Sequence, residues 1–206
     1  MERWGIIGGT FDPIHFAHIY IAETAKEKLN LQKIIFMPAG SPPHKANMRI
    51  TEASLRFKMV KAAIEGKDGF EVSDYEIQKE GKSYTYETLQ YYQKQVEEIY
   101  FITGADCLMD IEKWKNVDEI FKSSKLVVVT RPGFDNETLK EQKNKIEKKY
   151  NGNIILLQVE GKEMSSTEIR TYIKEDKNIQ EFLPNKVKNI IDKEKLYRGW
   201  FFKWYQ

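Results

Sequence analysis

The sequence predicts an α/β fold, a doubly wound parallel sheet with helices on both faces, and three observations predict it. Short apolar runs alternate with helical stretches, glycines and other turn formers gather where several of those runs end, and the composition supports one well-filled core. Of the 206 residues, 41% are apolar and 13% aromatic, which suits a single domain over 1–206. Lys and Arg number 33 against 31 Asp and Glu, a formal charge of +2. That balance is too mild for a general nucleic-acid footprint and leaves room for a local basic phosphate pocket. Cys107 is the only cysteine, so no internal disulfide can form and a reducing cytosol suits the chain; the residue itself reads as small, apolar and packed. The segment from Met1 to Gly9 is too short to span a bilayer and lacks a signal pattern, so no membrane role is expected.

The elements follow in order. Gly5-Ile6-Ile7 is a short apolar run that enters Gly8-Gly9 and a loop with Asp12-Pro13, and a helical pattern covers Phe16 to about Leu29. Lys33 to Pro38 reads as a strand, Thr51 to Ile64 as a helix, Phe70 to Ile77 as an extended segment and Tyr84 to Val96 as a helix. Ile99 to Thr103 precedes Gly104-Ala105-Asp106, Lys125 to Thr130 precedes Arg131-Pro132-Gly133, and Ile154 to Val159 is a further strand. Glu137 to Lys149 is dense in Lys and Glu and reads as a solvated helix face with local ion pairs. Helices from about Ser166 to Lys174 and Pro184 to Lys193 make a small C-terminal helical portion, about 164–197, with Pro184 acceptable in a first turn. The tail 198–206 carries Trp200-Phe201-Phe202-Lys203-Trp204-Tyr205 and is expected to pack back on the domain, a homo-oligomer contact being the alternative. Such alternation is Rossmann-like and places ligands at the carboxyl ends of the strands.

The loop after the first strand carries the chemistry. Gly8 and Gly9 let the backbone bend tightly and bring main-chain N–H groups close to a nucleotide, and the helix start that follows favours negative charge. His15 and His18, two of three histidines, lie three apart at that helix start, so both imidazoles can reach one oligophosphate. Metal binding by the pair is the weaker rival, because no cysteine or carboxylate stands at ligand spacing beside them. A second phosphate device is Met164-Ser165-Ser166-Thr167-Glu168-Ile169-Arg170, where hydroxyls at a helix start and an arginine one turn inside make an anion clamp, or an N-cap with a surface arginine.

Gly8 to His18 resembles the nucleotidyltransferase superfamily that shares a His-x-Gly-His element with class I aminoacyl-tRNA synthetases, with Ala17 where that element has glycine. Met164 to Arg170 looks like the Ile-Ser-Ser-Thr-x-Ile-Arg motif of the adenylyltransferases in it, Met164 replacing the isoleucine. Three further stretches narrow the resemblance to the bacterial nicotinate mononucleotide adenylyltransferases: Ala39-Gly40-Ser41-Pro42-Pro43-His44-Lys45, Ser83-Tyr84-Thr85 with Thr88-Leu89, and Gly104-Ala105-Asp106 with Trp114.

The resemblance implies transfer of the adenylyl group of ATP to nicotinic acid mononucleotide, with Mg²⁺ bridging the leaving pyrophosphate. It implies ATP contacts from Gly8, Gly9, Thr10, Phe11, His15, His18, Ser165, Ser166, Thr167 and Arg170, with His18 on the α-phosphate and His15 on the β/γ side. For the mononucleotide it implies Asp12 and Gly104 among the contacts, His44 and Lys45 in a loop flanking the phosphate, the helix start at Ser83, Tyr84 and Thr85 on the nicotinate carboxylate, Asp106 on a ribose hydroxyl and Trp114 stacked on the pyridine ring, while Arg131, before Pro132-Gly133 at another strand end, stands within reach of phosphate. Other members of the superfamily, such as a phosphopantetheine adenylyltransferase or a cytidylyltransferase, and a nucleotide sensor without turnover are the rival readings.

Overall fold

The computed structural model of the chain describes residues 1–40, 50–130, 136–160 and 164–198. His44, Lys45, Arg131 and the aromatic tail from Trp200 lie outside the described residues. Six strands, β1 (Arg3–Gly9), β2 (Lys33–Pro38), β3 (Phe70–Val72), β4 (Glu98–Gly104), β5 (Lys125–Thr130) and β6 (Ile154–Gln158), form one sheet in the order β3-β2-β1-β4-β5-β6, every neighbouring pair parallel. The chain steps outward from β1 to β3 and then returns to the other side of β1 with β4. The connections diverge there, and a crevice opens above the carboxyl ends of β1 and β4.

Between and after the strands run α1 (Phe16–Lys28), α2 (Ala53–Ile64), α3 (Tyr75–Gln78), α4 (Thr85–Tyr92), α5 (Ala105–Asp110), α6 (Val117–Ser123), α7 (Asn136–Tyr150), α8 (Ser166–Lys174) and α9 (Asn185–Lys193). Side chains alternate across a strand, and here both faces are covered, so adjacent residues enter different cores. Ile6, Ile35, Met37, Phe101, Leu126 and Val128 join α4 to α7 on one face. Their neighbours Ile7, Ile34, Phe36, Ile102 and Val127 join α1, α2, α8 and α9 on the other. This double burial is why the strands read as near-continuous apolar runs. Among the described residues no helix is long and apolar enough to cross a membrane.

The structure differs from the sequence reading in three places. The extended segment expected to reach Ile77 stops at Val72, because β3 is an edge strand paired only with β2, and Ser73 Oγ accepts from the Tyr75 N–H at 3.1 Å and from the Tyr92 hydroxyl at 2.7 Å, turning the chain into α3. The helix expected to reach Val96 ends at Tyr92. The stretch from Ala105 to Ser123 holds α5, a 3₁₀ turn over Ile111–Lys113 and α6, with Asn116 in the left-handed region at φ 52°. Pieces this short show too few turns for a helical period to register in sequence.

Gly40, just past β2, packs its Cα against the backbone of α3 so closely that a Cβ would overlap the Glu76 carbonyl. Gly40→Ala is expected to destabilise the protein by about 1–3 kcal/mol, the usual cost of forcing an extra carbon into a packed contact. Urea unfolding of the variant beside the parent measures it.

Candidate active site

Beyond β1 the chain crosses the crevice as Thr10 to His15, with Phe11 in the left-handed region at φ 51° and a cis bond between Asp12 and Pro13. This loop turns carbonyls inward, and each inward carbonyl needs a donor. Arg56 of α2, only 1% exposed, supplies them on one side. Its guanidinium donates to the carbonyls of Thr10 at 2.8 Å, Ala39 at 2.7 Å and Thr51 at 2.8 Å, tying the ends of β1 and β2 together. Burial pushes the Arg56 pKa down, and the nearby Asp12 opposes that shift. From the other side Arg170 donates to the Asp12 carbonyl at 2.8 Å and Ser166 Oγ to the Pro13 carbonyl at 2.9 Å. The Asp12 carboxylate is itself buried, accepting from the Tyr197 hydroxyl at 2.6 Å and the Thr51 N–H at 3.3 Å.

The two histidines stack where the loop becomes α1. Their ring centroids are 3.7 Å apart with a 32° tilt, and Phe11 meets His18 edge-on at 5.1 Å. His18 Nδ1 accepts from the His15 backbone N–H at 3.3 Å, which places the proton of the neutral ring on Nε2. Desolvation, then the neighbouring His15, holds the His18 pKa well below the ordinary histidine value. His18 therefore stands as a neutral donor before any anion arrives, and a phosphate beside it would favour the protonated ring.

Two cavities flank the loop. One, of ≈ 380 Å³, is lined by Gly8, Gly9 and Thr10 together with Glu76, Ser83, Tyr84, Thr85, Thr103 and Trp114. It receives the N-terminus of α4, which has no side-chain cap. The Ser83 hydroxyl donates to the Glu76 carbonyl at 3.2 Å. Burial raises the pKa of Glu76, whose carboxylate accepts from Thr88 Oγ1 at 2.7 Å. Trp114 closes the far side, held edge-on by Phe101 at 6.2 Å. The other cavity, of ≈ 730 Å³ and mainly apolar, is lined by Phe16, Ala17, Ile21, Val129, Val159, Met164 and Phe182 among others. Gly8 to Ala17 thus borders both cavities, with His15 between them in sequence.

Comparison with known proteins fits this arrangement. The family described as cytidylyltransferase-like matches residues 6–172. A Clostridium botulinum protein named "Probable nicotinate-nucleotide adenylyltransferase" is 54% identical over 198 residues, covering 96% of this chain and 99% of that one. The protein of the same name from Clostridium beijerinckii is 53% identical, covering 96% and 100%. The chain belongs to the nicotinate-nucleotide adenylyltransferases of the cytidylyltransferase-like family. In fold it is similar to the Plasmodium falciparum nicotinic acid mononucleotide adenylyltransferase solved with NaAD, at a TM-score of 0.76 and 20% identity, covering 96% of this chain and 98% of that one.

The structure brings together most of the residues singled out from sequence, with some in contacts the sequence did not suggest. Ser165 caps α8 in a reciprocal box: its Oγ accepts from the Glu168 N–H at 3.1 Å, and Glu168 Oε2 accepts from the Ser165 N–H at 2.8 Å. Thr167 Oγ1 accepts from Arg170 at 3.1 Å, so Arg170 is a brace between α8 and the loop and not a surface side chain. Gly104 and Asp106 stand exposed at the end of β4 and the start of α5, and line neither cavity. Arg56, Tyr197 and Glu76 were missed. A buried arginine bonded to carbonyls has no local sequence signature, and Tyr197 meets Asp12 across 185 positions.

The His18 environment fixes a pH dependence. Because its folded pKa is lowered, the unfolded chain binds a proton near pH 6.5 that the folded chain refuses, so this group's stability contribution is present above about pH 6.5 and is lost as the pH falls below it. Unfolding free energies at pH 7.0 and 5.0 should show a smaller acid loss in His18→Asn than in the parent.

Proposed function

We propose that the chain transfers the adenylyl group of ATP to nicotinic acid mononucleotide, yielding nicotinic acid adenine dinucleotide and pyrophosphate. One observation carries this reading. A single anion-binding loop separates a mainly apolar cavity beside Ala17 and Met164 from a second cavity that ends on the uncapped start of α4. The first suits the adenosine of ATP and the second the pyridine mononucleotide, which leaves the reacting phosphates over His15 and His18. The names of the relatives, and the Plasmodium falciparum enzyme solved with NaAD, support the same pair of substrates.

The acceptor phosphate is anionic near neutral pH, so the reaction needs no general base. Its oxygen attacks the α-phosphorus in line, a new P–O bond forms, and the bond to the β-phosphate oxygen breaks with pyrophosphate as leaving group. We assign His18 Nε2 to the α-phosphate, where charge develops, and His15 to the β/γ side. Gly8 and Gly9 admit the nucleotide to the main chain, and Ser165, Ser166, Thr167 and Arg170 at α8 hold the triphosphate once Ser165 exchanges part of its bonding with Glu168 for phosphate oxygen. Among the described residues no group of three or more His, Cys, Asp or Glu could hold a metal. Mg²⁺ would enter with ATP as part of the Mg·ATP substrate and supply charge neutralisation of its phosphates, and no step of the protein is routed through it. The lone Cys107, whose thiol pKa burial raises, fits a reducing cytoplasmic setting.

Trp114 offers its ring to the pyridine, and the N–H groups at the start of α4 meet the nicotinate carboxylate. A carboxylate accepts from them through both oxygens, whereas a carboxamide turns an NH₂ toward like donors. Leaving a donor unmatched in a closed site costs on the order of 1–3 kcal/mol, and the lost charge-assisted bond adds to it. Pyrophosphate release should therefore show kcat/KM at least about 10²-fold higher with nicotinic acid mononucleotide than with nicotinamide mononucleotide, both with ATP. Replacing ATP by CTP, or the acceptor by phosphopantetheine, tests the rival members of the superfamily; faster release with either would overturn the assignment. His18→Ala is expected to lower kcat by about 10² to 10³, the range for deleting one pre-aligned stabiliser of developing charge, and a kcat within threefold of the parent would remove that role.

A further inference from the structure

The last turn of the described chain reaches the catalytic loop. Leu196 is buried in the core shared by α8 and α9, and Tyr197 follows it with its backbone in the left-handed region, φ 63°, a conformation that a tyrosine rarely adopts. That backbone directs the phenol under the loop after β1, where its hydroxyl donates to Asp12 Oδ1 at 2.6 Å. Asp12 is 5% exposed, and its other carboxylate oxygen accepts from the Thr51 N–H at 3.3 Å. The hydrogen bonds of the neighbouring Arg56 go to main-chain carbonyls, so the Tyr197 hydroxyl supplies the shorter of these two bonds to a buried carboxylate. Burial and the Asp12 charge keep the phenol protonated, and it can only donate to that carboxylate.

We propose that Tyr197 is a positioning residue for adenylyl transfer: by holding the Asp12 carboxylate it sets the Thr10–His15 loop, and through it the imidazole of His18. The inference rests on the functional reading above. Backbone strain such as that of Phe11 persists where the surroundings hold it, and here Tyr197, Arg170 and Arg56 approach the same six-residue loop, Thr10 to His15, from the turn after α9, from α8 and from α2. Of the three, Tyr197 alone can lose its polar contact by deletion of a single oxygen.

The test uses the full chain with Tyr197→Phe, and Leu196→Ala as a control that loosens the same turn without touching the hydroxyl. Tyr197→Phe should lower kcat at least about tenfold with KM for both substrates within about twofold, because misalignment of a positioned group falls on the chemical step. Leu196→Ala should lower the thermal midpoint at least as far and keep kcat within about twofold. In the background of Asp12→Asn, the phenylalanine should add little further loss, since Tyr197 acts through Asp12. The ¹⁵N resonances of the His18 ring should move in Tyr197→Phe and stay in Leu196→Ala. A kcat for Tyr197→Phe within twofold of the parent, or a loss no larger than that of Leu196→Ala, overturns the proposal. If the parent shows no turnover with ATP and nicotinic acid mononucleotide, the functional reading fails, and the His18 resonances still decide whether Tyr197 sets the loop.

Discussion

The inward carbonyls of the loop after β1 impose the constraint on which the rest of the site depends. A segment whose carbonyls turn toward the interior, where water is not on hand to satisfy them, needs donors from other elements. Arg56, Arg170 and Ser166 meet Thr10, Asp12 and Pro13 at 2.8–2.9 Å. The same bonds place two guanidinium groups behind the loop, partly balanced by Asp12, so the frame that shapes the loop also makes it attractive to a triphosphate. The helices bearing these donors, α2 and α8, belong to the core on one face of the sheet, which ties the geometry of the site to the packing of that core.

Much of this was legible in the sequence where signals are contiguous. The alternation of apolar runs and helical stretches predicts the sheet, and the structure reproduces it because residues such as Ile6 and Ile7 are buried on opposite faces. Gly8 to His18 and Ser165 to Arg170 could be singled out because each is a short stretch whose spacing speaks for itself. The sequence did not reveal that the two stretches touch, through Ser166 on Pro13 and Arg170 on Asp12, across more than 150 positions. Arg56 lay unremarked within the helix expected over Thr51 to Ile64, since nothing local distinguishes a buried arginine bonded to carbonyls from a surface one. The Ser83 hydroxyl turns away to Glu76, which leaves the start of α4 without a side-chain cap, and that feature lives in side-chain direction and not in spacing.

In the proposed reaction one loop serves two nucleotides. Ala17 lines the apolar cavity where the related motif has glycine, so its methyl group adds to that wall, while Gly8 and Gly9 keep the other side open to the main chain. The two histidines are stacked and, at His18, held neutral by the loop around them, so in the proposed reaction the site is set before charge arrives and needs little rearrangement to receive it.

Preformation is therefore the central claim, and a crystal structure of the complex with a non-hydrolysable ATP analogue tests it most directly. With the sheet superposed on the ligand-free protein, the Cα atoms of Thr10 to His15 should lie within about 1 Å of their present positions, with the triphosphate between His18 and the start of α8. Displacement of that loop by more than about 2 Å, or a triphosphate bound elsewhere, would contradict it.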